Sequence, residues 1–319
     1  MKYREWLGQW LELYIKPSVK SRTYDKYACA VRLYIQPHLG EYTPSELSVT
    51  VLQEFVNTLL GTDRGGGIGL SANTVSDIIS MVQQSLDQAV NTGIVERHCA
   101  GMMCRPKSEE ANSKVNCFAL TEQRRIEEYV FLKKDVSLYG ILLTMYTGLR
   151  IGELLALTWD DIDMKRCLMT VSKTCRDSWG GGYTKLLGSP KTPSSYRIIP
   201  IPRQIMPYIR QMKRKSNCEY VVSRRGNAVS IRSYQRTFAR ILKKLCIKHL
   251  GFHALRHTFA TRAIENGMDI KTLADIMGHK SPAITLSTYA HSLAPHKKSM
   301  MNKLGKILAD GRPVMRKIK

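Results

Sequence analysis

Residues 253–291 read HALRHTFATRAIENGMDIKTLADIMGHKSPAITLSTYAH, and within those 39 residues stand His253, Arg256, His257, His279, Tyr289 and His291. His253 and Arg256 are three apart, so a helix projects them from one face. The spacing predicts a second helix over 270–277, capped by Gly278, with His279 at the turn. Ser281-Pro282 then opens a further helical segment toward Tyr289. Taken singly, His253 or His279 is more often a satisfied structural histidine than a catalyst. Their company, with arginine and tyrosine in one short stretch, points instead to handling of phosphate or protons.

The rest of the chain has the charge for such a partner. Its 319 residues carry 49 lysines and arginines against 26 acids, a formal net charge of +23 and a pI near 9.8. So large an excess costs self-repulsion, and a polyanion is its most economical explanation. Nucleic acid comes first and an anionic membrane surface second, because the basic residues are spread along the chain and not gathered on one amphipathic helix. No run of about 18 apolar residues exists and MKYREWLGQW has no signal-peptide core. A soluble, cytoplasmic protein is expected. The eight cysteines form no CxxC pair, which suits idle or buried thiols in a reducing compartment; Cys99 and Cys104 make at most a weak metal half-site.

Residues 1–104 read as helices. Trp6, Trp10, Leu13 and Tyr14 form one apolar face over 2–15. Ser21 opens a second helix, stopped at Pro37, and Pro44-Ser45 opens a third with Val51, Leu52, Phe55, Val56 and Leu59 inward. After a glycine-rich loop, Ser71 caps a fourth helix facing inward through Val75, Ile78, Ile79, Val82, Leu86 and Ala89. Such a basic bundle can sit on DNA, or serve regulation or oligomerisation. Residues 105–117 are polar and aperiodic, a linker that would let two basic domains close on a duplex.

From 118 to 294 the pattern is mixed. An apolar helix over 138–146 ends at Gly148, and the next buries Ile151, Leu154, Leu155 and Leu157. Arg150 therefore lies at a helix start, where an anion is favoured, and Glu153 one turn on can hold its guanidinium. Runs 167–173 and 195–200 read as short strands flanking a loop with Lys191, and Arg197 follows six residues later. Two more helices cover 202–215 and 230–248. In the second, Arg232, Arg236 and Arg240 share a face, as a phosphate-tracking stripe or a solvated one. The fold class is mainly α with a small β-sheet or hairpin.

TGLRIGELLALTW, PKTPSSYRIIPIP, HALRHTFATR, MGHKS and STYAH occur in that order, and together they resemble the tyrosine recombinase (phage integrase) family, most of all integrases of Gram-positive conjugative transposons and prophages. The resemblance implies a helical core-binding domain (1–104) followed by a mixed α/β catalytic domain (118–294). Carried over by motif, it implies a site of Arg150, Lys191, His253, Arg256 and His279, with Tyr289 as nucleophile and Glu153 supporting the first arginine. The step from His279 to Tyr289 is ten residues, one longer than in many members. Residues 295–319 carry Met300, Met301, Leu304, Ile307 and Leu308 at helical spacing, and the resemblance implies docking of this tail on a neighbouring protomer.

The chemistry so implied is consistent with the residues. Two guanidiniums can fork onto non-bridging phosphate oxygens. A phenol of pKa about 10 needs a base or a cationic field; His253 is the candidate base, His279 donates to a non-bridging oxygen or helps orient the tyrosine, and Lys191 is the acid for the departing 5′ oxygen. The expected product is a covalent 3′-phosphotyrosine on double-stranded DNA, formed in a homo-tetrameric synapse with accessory directionality or DNA-bending factors. No cofactor or metal is expected, since neither a Walker motif nor a carboxylate cluster occurs. A type IB topoisomerase, relaxing DNA by the same chemistry, and a non-catalytic DNA-binding protein are the alternatives.

Overall fold

The computed structural model describes residues 1–61, 69–106, 116–177, 185–188, 196–289 and 293–309. Chain contacts divide it into two compact units, 1–112 and 113–319.

The first unit is all helical. α1 (Tyr3–Trp10) runs through a π-helical turn, Leu11–Ile15, into the short α2 (Lys16–Ser18). α3 (Ser21–Ala30) repeats the device through Val31–Ile35 into α4 (Gln36–Leu39). Both π turns precede a proline in a shared pattern, LYIKP at 13–17 and LYIQP at 33–37. Proline lacks an N–H and crowds the carbonyl four residues back, so the backbone widens by one residue instead of breaking. Lys16 N–H accordingly donates to Leu11 O and Gln36 N–H to Val31 O, each five residues back. Two expectations are corrected by this. The second helix does not stop at Pro37, and the widened turn swings Leu13 out of the apolar face to 64% exposure while Leu11 and Ile15 go inward.

α5 (Val49–Leu60) begins later than Pro44-Ser45 suggested, because Ser48 supplies the cap by accepting from Val51 N–H. α6 (Ala72–Asn91) is capped by Ser71 and buries all six residues expected of it. Trp6 Nε1 donates to Ser85 O at 2.9 Å, tying α1 to α6 within the core of the unit.

The second unit packs helices around small antiparallel sheets. α7 (Leu120–Lys133) leads to α8 (Tyr139–Thr147), buried on nearly every side, which is why its sequence is apolar all round. α9 (Ile151–Ala156) follows. Then β1 (Ile162–Asp163), β2 (Leu168–Val171) and β5 (Arg197–Pro200) form one sheet in that order. β3 (Thr174–Asp177) pairs with β4 (Lys185–Gly188) as a separate hairpin. In β5 the alternation is buried-exposed, so Arg197 and Ile199 face inward while Ile198 faces out. α10 (Met206–Lys215) and the two-stranded ribbon β6 (Ser223–Arg224) and β7 (Asn227–Ala228) precede α11 (Ile231–Lys244), which buries Tyr234, Phe238, Ile241 and Leu242. The chain continues through α12 (His253–Glu265), α13 (Ile270–Met277), α14 (Pro282–Tyr289) and α15 (Leu293–Ala309). Among the described residues, no helix is long and apolar enough to cross a membrane.

Candidate active site

The site is assembled on the carboxyl end of α13. Asp269 caps the start of this helix by accepting from Thr272 N–H, and Gly278, at φ +63°, ends it. A helix end leaves carbonyls without intrahelical partners and carries partial negative charge. Here three arginines take three consecutive carbonyls. Arg197 Nε donates to Ile276 O at 2.6 Å, Arg256 Nη2 to Met277 O at 2.6 Å, and Arg150 Nη2 to Gly278 O at 3.1 Å. One turn of backbone thus brings together side chains from β5, α12 and the start of α9.

Glu153 is the acidic centre of this cluster. It lies three residues into α9, where its Oε2 accepts from the Arg150 backbone N–H and its Oε1 from Arg150 Nη1, both at 2.9 Å. Arg197 holds both of its oxygens as well, at 3.1 and 2.8 Å. Burial alone would raise the Glu153 carboxyl, but hydrogen bonding to Arg197 and the charges of Arg197 and Arg150 override it and hold it at about 2. Three guanidiniums against one carboxylate leave the cluster cationic. Arg256 is buried, with Nη1 on Gly148 O at 2.7 Å, whereas the Arg150 side chain is 35% exposed and presents a charged edge to solvent. That combination suits an anion arriving from outside.

The histidines lie in the same field. His279 Nδ1 is hydrogen-bonded to the buried Thr285 hydroxyl at 2.7 Å, which fixes its ring from α14. Partial burial, then the charges of Arg256, Arg150, Arg197 and His253, push His279 down to about 4. His253 reaches solvent, yet enclosure of its ring and the neighbouring His257, Arg256 and Arg150 bring it to about 4 also. Both are therefore neutral near pH 7.

Tyr289 ends α14 and is 1% exposed, in a small apolar cluster with Ala260, Ala263, Ile264, Leu273 and Met277. Its hydroxyl lies 2.7 Å from His257 Nδ1. Burial raises the phenol to about 12; Arg256 pulls against that shift and Cys117 adds to it.

Arg150, Glu153, His253, Arg256, His279 and Tyr289 are thus brought into one region. Lys191 lies outside the described residues, as does His291. Arg232, Arg236 and Arg240 stand on the exposed face of α11. Three further residues contribute: Arg197 and His257, present in the sequence motifs without a role assigned, and Thr285. Arg197 was visible through strand alternation with Ile199, and His257 through its four-residue step from His253; nothing in the local pattern marks Thr285. Among the described residues no group of three or more His, Cys, Asp or Glu could hold a metal ion.

Comparison with known proteins bears on this region directly. Residues 2–60 match the phage integrase N-terminal SAM-like domain, and residues 119–296 match the phage integrase family. The chain is 27% identical over 322 residues to a XerC-like tyrosine recombinase of Caldanaerobacter subterraneus subsp. tengcongensis, covering 92% of this chain and 80% of that protein. It is 30% identical over 209 residues to the transposase of transposon Tn916 from Enterococcus faecalis, covering 59% of this chain and about half (51%) of the transposase. Its fold is similar to that of the Tn1549 transposon integrase solved in complex with a circular intermediate DNA, with a TM-score of 0.80 at 21% identity over 95% of this chain and 99% of that one. The segment matched at 119–296 spans more than half of the sequence and contains every arginine, histidine and tyrosine gathered around α13, so the chain belongs to the phage integrase family and is a tyrosine recombinase.

Proposed function

We propose that the protein cuts and rejoins DNA strands at specific sites of a mobile element through a covalent 3′-phosphotyrosine at Tyr289, for integration and excision. The observation that carries this reading is the cationic cluster on α13, two of whose arginines, Arg150 and Arg256, share the field that reaches both histidines. Arg150 and Arg256 neutralise the non-bridging oxygens and favour the extra charge of the pentacoordinate transition state. His253 and His279, being neutral, donate hydrogen bonds to those oxygens, and Thr285 at Nδ1 of His279 leaves Nε2 for the phosphate. Lys191 protonates the departing 5′ oxygen. The phosphotyrosine conserves the bond energy until a 5′-hydroxyl of the partner strand reverses the step.

The partner is double-stranded DNA, bound by the basic helical unit, the catalytic unit and the arginine face of α11, with four copies assembled on the paired sites and directionality or bending factors helping. The exposed apolar stripe of Met301, Leu304, Ile307 and Leu308 on α15 suits docking on a neighbouring copy. The reading is tested with nicked duplexes of randomised sequence, in which cleavage beside the nick loses a short strand and traps the adduct. A denaturant-stable protein–DNA adduct, recovered and sequenced, is expected from the wild type and absent from Tyr289→Phe. An adduct with Tyr289→Phe overturns it.

A further inference from the structure

The Tyr289 hydroxyl needs somewhere to send its proton, and within hydrogen-bond distance of it stands a residue to which no role has yet been given. His257 Nδ1 lies 2.7 Å from Tyr289 Oη, and the two rings are tilted with centroids 5.8 Å apart. His257 is one helical turn beyond His253 on α12, and the two imidazoles meet edge to face at 4.6 Å. The Tyr289 ring is enclosed by apolar side chains from α12 and α13, and its hydroxyl meets α12 at His257.

We propose that His257 is the general base of strand cleavage: its Nδ1 holds the Tyr289 hydroxyl and takes the proton as the phenol oxygen attacks phosphorus. This deepens, and rests on, the reading of Tyr289 as nucleophile. The step balances without any further reagent. The Tyr289 Oη–H bond breaks with the proton passing to His257, the Oη–P bond forms, and the P–O5′ bond breaks with its electron pair leaving on oxygen, which Lys191 protonates. His257 ends as a cation and Lys191 neutral; ligation runs the same transfers backwards.

The surroundings of His257 suit a base that is free before the reaction. Among the described residues, the ionisable groups facing it are Tyr289 from α14 and His253 and Arg256 from its own helix, and Cys117 acts on Tyr289 from the segment before α7. Partial burial and the Arg256 charge lower its pKa below the ordinary histidine value, so it is unprotonated at neutral pH. His253, which sequence reasoning made the candidate base, is left free to meet the phosphate.

The test uses the full-length protein and the nicked duplex recovered by trapping, with single-turnover adduct formation as the readout and DNA binding measured alongside. His257→Ala is expected to slow adduct formation about 100-fold or more while binding persists, and added imidazole is expected to restore part of the rate. His257→Gln, which can hold the hydroxyl but takes no proton, is expected to stay slow. A 5′-bridging phosphorothioate, whose sulfur leaves without protonation, is expected to rescue Lys191→Ala and not His257→Ala. Several results would overturn the proposal. One is a wild-type or faster rate in His257→Ala, which would make His257 a latch or a bystander. Another is full activity in His257→Gln with no imidazole rescue of His257→Ala, which would leave it a positioning role alone. Rescue of His257→Ala by the phosphorothioate would do the same. Adduct formation by Tyr289→Phe instead removes the reading beneath it.

Discussion

Arg197 and Glu153 form a two-pronged ion pair, Nη1 to Oε1 at 3.1 Å and Nη2 to Oε2 at 2.8 Å, with each side chain 6% exposed. Through Nε on Ile276 O the same guanidinium also ties β5 to the end of α13. Arg197 therefore does not need to touch DNA to matter. It holds the carboxylate that holds Arg150, and the turn that carries His279. Arg197→Met leaves Glu153 buried with Arg150 as its remaining arginine partner, and removing one member of a buried pair costs about 3–5 kcal/mol. A loss toward the lower end is expected in chemical denaturation. The double variant Arg197→Met/Glu153→Gln should lose less than the two single losses added together, because the stranded charge is gone. Strict additivity would show that the pair is not coupled.

Gly278 makes the same point from the backbone. Its φ of +63° suits glycine, and a Cβ there would come within 3.0 Å of Arg197 Nη1 and 3.2 Å of its Cδ and Cζ. Arg197 is anchored at Glu153 and at Ile276, so it has little freedom to retreat. Gly278→Ala is expected to cost about 2 kcal/mol or more through left-handed strain and displaced contacts. Adduct formation should fall further than stability alone explains, since Arg150 and His279 move with the turn. Unchanged melting and cleavage in this variant would contradict the account of α13 as the platform of the site.

Those two positions also show how far the sequence carries. The order of motifs, the cap at Gly278, the pairing of Arg150 with Glu153 and the convergence of Arg256, His279 and Tyr289 were all legible, because each rests on local spacing or on the family resemblance. Arg197 was harder. Alternation puts it on the face of Ile199, but an arginine in a short strand beside a loop reads as surface until strand pairing shows that this face is the inward one. Thr285 was invisible, since its partner His279 is set by how α14 folds back. The π turns before Pro17 and Pro37 were not legible either: helical periodicity placed Trp6, Trp10, Val31 and Ile35 inward correctly, but the widened turn shifts the face locally and puts Leu13 outside it.

Stability should depend on acid in two stages. His253 and His279 sit at about 4 in the fold against 6.5 when unfolded, so between those values the unfolded chain binds more protons, and stability falls as pH drops from 6.5 toward 4. Glu153 sits at about 2 against 4.5, so its contribution is present above pH 4.5 and is lost as pH falls on toward 2. Melting temperature measured from pH 7.5 to 3 should decline from near 6.5 and continue below 4.5. His279→Gln is expected to flatten the upper stage and spare the lower one. A melting temperature constant from pH 6.5 to 4.5 in the wild type would count against neutral histidines in the site.

α14 carries two hydrogen bonds into the site: Tyr289 to His257 at its end, and Thr285 to His279 one turn before. They divide the labour differently. Thr285 is fully buried, and its hydroxyl fixes which nitrogen of His279 faces outward. Thr285→Val keeps the shape and removes the hydroxyl, leaving His279 Nδ1 short of a partner. A buried group so stranded costs about 1–3 kcal/mol, so the protein should still fold. His279 can then turn over or take the other tautomer, and its donation to phosphate is lost for part of the time. Single-turnover adduct formation is expected to slow by about tenfold, as for one weakened transition-state hydrogen bond worth roughly 1.4 kcal/mol. Because His279 is upstream in this effect, Thr285→Val added to His279→Gln should slow cleavage little beyond His279→Gln alone. If the two losses multiply instead, Thr285 acts through the placement of Tyr289 at the other end of the same helix, and the division drawn between the two bonds is wrong.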